Sequence, residues 1–307
     1  MKVLITGANG LLGHELVCQL EKEGNYELIV SGRGPSRFTQ LQSITEYIDL
    51  DITHAEKVFE VFERVQPEVV IHAAAMTQVD DCEENKQQCY NTNVGATRFL
   101  IDASKTTKTW FIYISTDFVF DGKSGPYGED AVPAPVNYYG STKLAAEHAV
   151  MESGLDWSII RTVLVFGNSQ DGSRSNLITW VQKSLTHGRK IKVVADQWRT
   201  PTFVEDLAKG IVLLLKKKAK GIYHISGKDM LSPYEMSLQV AQLLQLDVSL
   251  IEQVDGNTFT QCGERPKKTG FVIDKAKKQL GFEPISFNEA INRMFKPQSI
   301  KQDSQVV

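Results

Sequence analysis

Cys18, Cys82, Cys89 and Cys262 form neither a CxxC pair nor a dense framework. That removes a disulfide scaffold and a thiolate zinc site from consideration. The six histidines are scattered, with no HxxxH spacing and no His–Cys cluster, so no structural or catalytic transition metal is expected. Lys and Arg together number 34 against 37 acidic residues, without a basic block, so neither nucleic acid nor an anionic membrane is an expected partner. No apolar run approaches the length of a membrane span. Met1-Lys2 opens directly into a strand pattern with no signal peptide before it, and a reduced, cytoplasmic protein is expected. Repeats and low-complexity segments are absent as well. What is left, at 307 residues, is room for one large core in one or two lobes.

The chain opens with an informative pattern. Lys2-Val3-Leu4-Ile5-Thr6 reads as a buried strand, and Gly7-Ala8-Asn9-Gly10-Leu11-Leu12-Gly13 follows it. A helical pattern then runs through Leu12, Leu16, Val17 and Leu20. Strand, glycine turn and helix together suit a pyrophosphate: the turn lets backbone approach, and the helix start offers free N–H groups. The spacing is GxxGxxG, not the GxGxxG of ordinary dinucleotide-binding dehydrogenases. A second strand, Tyr26 to Ser31, ends in Gly32-Arg33 where an acidic residue would select NADH. Arginine pairs instead with a 2′-phosphate, so Arg33 argues for NADPH. Arg37 is either a second contact or a solvated loop charge. Asp51-Ile52, after the third apolar segment, stands where an adenine ring is expected.

Further strands are expected at Val69 to Ala73, Trp110 to Ile114 and Trp157 to Ile160, with helices near 10–22, 54–65, 85–104 and 138–153. Continuous apolar strands alternating with helices imply a parallel sheet covered on both faces. After Phe166-Gly167 the rhythm changes. A polar loop at 168–173, a helix over about 174–187, a strand at Ile191 to Val194, a helix from Phe203 to Leu215, a strand at Gly221 to Ser226 and a helix from Pro233 to Leu244 suggest a smaller lobe. Residues 298–307 read as a frayed tail.

Tyr139 and Lys143 stand one helical turn apart, and of the nine tyrosines only Tyr139 has a lysine four residues on. An isolated YxxxK is most often a half-buried ring beside a solvated charge. In a dinucleotide-binding chain the lysine has a use, since a nearby cation lowers a phenol pKa from its ordinary ~10 towards working range.

The glycine turn, the Tyr139–Lys143 pair and the strand-end Ser115-Thr116 resemble the extended short-chain dehydrogenase/reductase family. Ala73 to Asp80, Asn91-Thr92-Asn93, Ser115 to Gly122, Tyr138 to Glu147, Val194 to Gln197, Pro201-Thr202 and Arg265-Pro266 resemble, more narrowly, its dTDP-4-dehydrorhamnose reductase branch. The resemblance implies an α/β fold, a Rossmann-type doubly wound parallel sheet with a smaller C-terminal substrate-binding lobe. Residues 1–165 would bind NAD(P), with 203–226 packing back onto them. Residues 166–297 would form the lobe, and 298–307 a flexible tail. It implies NADPH, with NADH as the alternative, a nucleotide-sugar substrate, and a homodimer as one assembly it allows.

Residue by residue, Tyr139 would protonate the sugar C4 oxygen, Lys143 would hold the nicotinamide ribose and lower the tyrosine pKa, and Thr116 would hydrogen-bond the reacting oxygen. Gly7, Asn9, Gly10, Leu11, Leu12, Gly13, Arg33, Asp51, Ile52, Ala73, Ala74, Ala75 and Asn93 would join Tyr139 and Lys143 around the cofactor. Val79, Asp117, Leu164 and Gln197 would line the sugar pocket, although Asp117 is also readable as a strand-end turn residue. Two positions depart from that branch: Leu164, where tryptophan is common, and Arg199, where glycine is. Both point to altered shape and charge beside the pocket, with Trp198 as a candidate substitute ring. An NADP-binding regulatory subunit, like the β subunit of methionine adenosyltransferase, and an epimerase or dehydratase on the same fold are the alternatives.

Overall fold

The structure is a computed structural model and describes residues 1–38, 44–168 and 176–295. In the first half, strands β1 (Lys2–Thr6), β2 (Glu27–Gly32), β3 (Ile44–Asp49), β4 (Val69–His72), β5 (Trp110–Thr116) and β6 (Trp157–Thr162) alternate with helices. The helices are α1 (Leu11–Glu23), α2 (Ala55–Val65), α3 (Val79–Glu84), α4 (Lys86–Tyr90), α5 (Ala96–Thr107) and α6 (Tyr138–Met151). The second half contributes β7 (Val165–Phe166), α7 (Leu177–Thr186), β8 (Ile191–Val194), β9 (Thr202–Phe203), α8 (Val204–Lys217), β10 (Gly221–His224), α9 (Pro233–Leu243), β11 (Ile251–Val254), α10 (Asp274–Leu280) and α11 (Phe287–Phe295).

Seven strands form one parallel sheet in the order β10-β6-β5-β4-β1-β2-β3. Successive strand side chains point to opposite faces, and both faces are apolar here. Val3, Ile5, Leu28, Val30, Val69, Ile71 and Ile112 pack on the side carrying α1, α8 and α10. The intervening Leu4, Ile29, Val70, Phe111 and Tyr113 pack on the side carrying α2, α5 and α6. Burial on both faces is why these strands read as continuous apolar runs. The sheet is wound outward in both directions from β1 and β4, so the carboxyl ends of β1, β4 and β5 open onto one crevice.

Element α8 lies against α1, and β10 extends the sheet beyond β6. A second core gathers α7, α9, α11 and the parallel pair β8–β11 around Val181, Val193, Val240 and Ile291. The short pair β7–β9 joins the two regions.

The single helix expected over 85–104 is not what forms. That stretch divides into α4, a π-helical turn at Asn91–Gly95 and α5, with α3 preceding them. The π turn coincides with Asn93, whose side chain reaches out of the helix to the backbone of Met76. The expected tail at 298–307 and most of the polar loop at 168–173 lie outside the described residues. Among the described residues, no helix is long and apolar enough to cross a membrane.

Candidate active site

The turn after β1 is shaped by lack of side chains. Gly7 has φ +75°, and a Cβ there would come within 2.7 Å of the Ala74 nitrogen. At Gly13 a Cβ would meet the Gly7 carbonyl oxygen at 2.4 Å, so α1 presses against the turn that starts it. Gly10 caps α1 without a side chain, which leaves the first-turn N–H groups of Leu11 to Gly13 without intrahelical partners. A cavity of about 220 Å³ opens at this helix start, lined by Asn9, Gly10, Leu11, Arg37, Phe203 and Arg293 among others. Ala73 to Ala75 leave β4 directly opposite Gly7. Narrow backbone approach, free N–H donors and an arginine on one cavity suit the pyrophosphate of a dinucleotide.

The two arginines after β2 take different places. Arg37 lines the cavity, where its backbone N–H donates to the Asn9 side chain at 3.1 Å. Against the raising effect of burial, hydrogen bonds from Thr53 hold the Asp51 carboxyl below its ordinary value, with His54 and then exposed Arg33 adding smaller attractions. Ile52 is buried beside Asp51 against α2. Asn93, expected near the cofactor, is buried and bonded to both backbone polar groups of Met76, at 2.8 and 3.0 Å, and to Thr142 at 3.1 Å. It therefore fixes the loop after β4 against α6.

Thr116 ends β5, and α6 delivers Tyr139 beside it. The approach depends on Gly140, where a Cβ would fall 2.1 Å from the Phe118 carbonyl oxygen. Asn137 caps α6, accepting from the Gly140 N–H at 2.8 Å while its amide donates to the Glu264 carbonyl at 2.8 Å. The Tyr139 ring meets Phe118 edge-on at 5.9 Å and packs with Val79, Cys82 and Cys89. Burial pushes the Tyr139 hydroxyl well above its ordinary pKa, with a hydrogen bond to Thr116 pulling the other way. This corrects the expectation that Lys143 lowers it. The Lys143 ammonium donates to the Ile114 carbonyl at 2.8 Å and lies 4.1 Å from the Tyr113 ring centroid. Burial brings its own pKa down to about 7, against the opposing pull of Glu147.

On the substrate side, Asp117 opens the turn that follows β5, as a strand-end turn residue would, and its side chain is buried. The Thr269 hydroxyl donates to its Oδ2, the Thr116 hydroxyl donates to its Oδ1 at 3.2 Å, and Arg199 Nε lies 3.7 Å from Oδ2. Arg199 is thus no free cation beside the pocket: its charge is met by Asp117 and it is almost wholly buried. Gln197 accepts from Arg199 Nη2 at 3.3 Å. Leu164 is exposed and held at φ +34°, a backbone conformation unusual for a leucine. Trp198 is similarly exposed. The contributions of Gly140, Phe118 and Thr269 escaped sequence reasoning. Only Gly140, beside Tyr139, carried a local signal.

The chain is 31% identical to a dTDP-4-dehydrorhamnose reductase from Clostridium acetobutylicum, and the two structures superpose with a TM-score of 0.85 over 96% of this chain and 98% of that one. A dTDP-4-dehydrorhamnose reductase from Bacillus anthracis in complex with NADP is 30% identical, with a TM-score of 0.81 over 96% and 98% of the two chains. Methionine adenosyltransferase 2 subunit beta of Rattus norvegicus is 30% identical over 89% of this chain and 81% of its own length. Matched from residue 1 to residue 300, the chain belongs to the RmlD substrate binding domain family.

Proposed function

We propose that this protein is an NADPH-dependent reductase of a nucleotide-linked 4-keto-6-deoxy sugar, with dTDP-4-dehydrorhamnose as the substrate. The observation that carries the reading is the meeting of Thr116 and Tyr139 at the end of β5, on the crevice that also holds the glycine turn. The dTDP-4-dehydrorhamnose reductases among its relatives, one of them solved with NADP, support the substrate and the cofactor. Gly7, Asn9, Gly10, Leu11, Leu12 and Gly13 would hold the pyrophosphate, with Arg37 and Arg33 towards the adenosine end. Asp51, Ile52 and Ala73 to Ala75 would border the rest of the dinucleotide.

NADPH, when bound, supplies the hydride for the carbonyl carbon. The chain handles the charge that then builds on the carbonyl oxygen. Tyr139, kept protonated by burial, donates its proton to that oxygen. The Thr116 hydroxyl hydrogen-bonds the same oxygen, and two aimed donors in a buried site stabilise developing charge more than water does. Lys143 borders the site from α6 and would hold the nicotinamide ribose. Val79, Asp117, Leu164 and Gln197 orient the sugar.

A second reading has its own support, the likeness to the rat methionine adenosyltransferase subunit. In that reading the protein binds NADP and acts as a regulatory partner. Incubation with dTDP-4-dehydrorhamnose and NADPH, followed by NMR for dTDP-rhamnose, separates the two. Product formation establishes the reductase. Tight NADPH binding with no product favours the regulatory reading.

A further inference from the structure

Arg199, on the loop between β8 and β9, has surroundings that differ from those of a surface arginine. It is 5% exposed. Nη1 donates to the carbonyls of Trp198 at 2.9 Å and Lys267 at 3.1 Å, and Nη2 donates to the Pro266 carbonyl at 2.6 Å and to Gln197 Oε1 at 3.3 Å. These bonds fix the guanidinium without help from Asp117, because a planar five-donor fork keeps its orientation once four contacts are made. The remaining face turns to Asp117 Oδ2 at 3.7 Å, with the Phe118 ring centroid 5.6 Å away.

Asp117 is therefore divided. Oδ2 faces Arg199 and accepts from Thr269, while Oδ1 accepts a long 3.2 Å bond from Thr116. Thr116 Oγ1 also accepts from the Phe118 N–H at 3.2 Å. A hydroxyl has one proton, so any strengthening of its bond to Asp117 withdraws that proton from every other acceptor. We propose that Arg199 is a positioning residue for the reduction: by taking up the Asp117 charge at Oδ2 it keeps the Thr116 proton available to the reacting oxygen. This rests on the reductase reading above.

The test compares Arg199→Met, Arg199→Lys, Asp117→Asn and the Met/Asn double variant, each as the full chain with ketosugar and NADPH. In the Met variant an unpaired carboxylate competes for the Thr116 proton. Its kcat is expected to fall on the order of 10²-fold, as for other small misplacements of a reacting group, with NADPH affinity unchanged. Arg199→Lys recovers part of that loss. The double variant turns over faster than Arg199→Met alone, because the amide no longer competes as an anion. Among the described residues, the titratable groups facing Asp117 are Arg199 and the Tyr139 phenol, beside the Thr116 and Thr269 hydroxyls. Burial already raises the Asp117 pKa with Arg199 opposing it, so in the Met variant the kcat deficit shrinks towards acid as Asp117 takes up a proton. Near-normal kcat in Arg199→Met, or a double variant no faster than the single one, overturns the inference while leaving the reductase reading intact. Absence of turnover by the unmodified protein, with NADPH bound, overturns both.

Discussion

Glu147 lies one helical turn beyond Lys143 on α6, yet its carboxylate is held by Arg161. Arg161 Nη2 reaches Oε2 at 2.7 Å and Nε reaches Oε1 at 3.0 Å, while Ser115 also donates to Oε1. Both ion-pair partners are almost wholly buried. Lys143 therefore shares the pull of that carboxylate with a second cation, and its ammonium turns to the Ile114 carbonyl. Burial then outweighs attraction, which is why the lysine, not the tyrosine, has the lowered pKa.

That arrangement has a measurable stability consequence. Lys143 falls from an ordinary 10.5 to about 7 in the folded protein. Between those values the unfolded chain binds the extra proton, so stability rises with pH across that window. Below about 7 the lysine is charged in both states and its burial opposes folding in full. Relative to Lys143→Met, the unmodified protein should gain stability as pH rises from about 7 towards 10.5, as read by denaturant titration at several pH values. Parallel stability curves for the two proteins would show that the lysine titrates normally.

Tyr139→Phe keeps the ring that packs on Phe118 and removes only the hydroxyl. Folding and NADPH binding should persist while turnover falls by roughly 10²–10⁴-fold, the worth of a positioned general acid. Steady-state assay with the ketosugar checks it, and near-normal turnover would remove Tyr139 from the proton-donor role.

Gly140→Ala tests the docking of α6 on the end of β5. The added methyl meets the Phe118 carbonyl oxygen at 2.1 Å, so the helix and the turn that follows β5 must move apart. An overpacked site of this kind costs about 1–3 kcal/mol of stability, and separating Tyr139 from Thr116 should lower kcat by about 10²-fold. A variant as active and as stable as the parent would mean that the contact is not needed.

Cofactor choice is read from Arg33→Ala and Arg37→Ala. Loss of a contact to a charged phosphate should weaken NADPH by about 1.5–3 kcal/mol and leave NADH little changed. Arg37 lines the cavity and Arg33 lies towards Asp51, so the larger loss is expected at Arg37. Fluorescence titration of both cofactors against both variants decides it, and equal NADPH and NADH affinity in the unmodified protein would defeat the preference.

Local pattern carried much of this protein in its sequence. Unbroken apolar strands such as Val69 to Ile71 announced a sheet buried on both faces, and glycines at 7, 10 and 13 announced the turn where α1 must touch β1. The spacing of Tyr139 and Lys143 put both on one helix face. These signals are legible because they depend on neighbours a few residues apart. What the spacing left open was where each charge would find its partner. Arg161 comes to Glu147 from the adjoining strand, Arg199 comes to Asp117 from the loop between β8 and β9, and Asn93 opens a π turn to hold Met76. Burial is likewise a property of the whole fold, and it decided the directions in which Tyr139 and Lys143 shift. Helical spacing sets which side chains meet, while the dielectric around them and the partners brought from distant segments set what those side chains do.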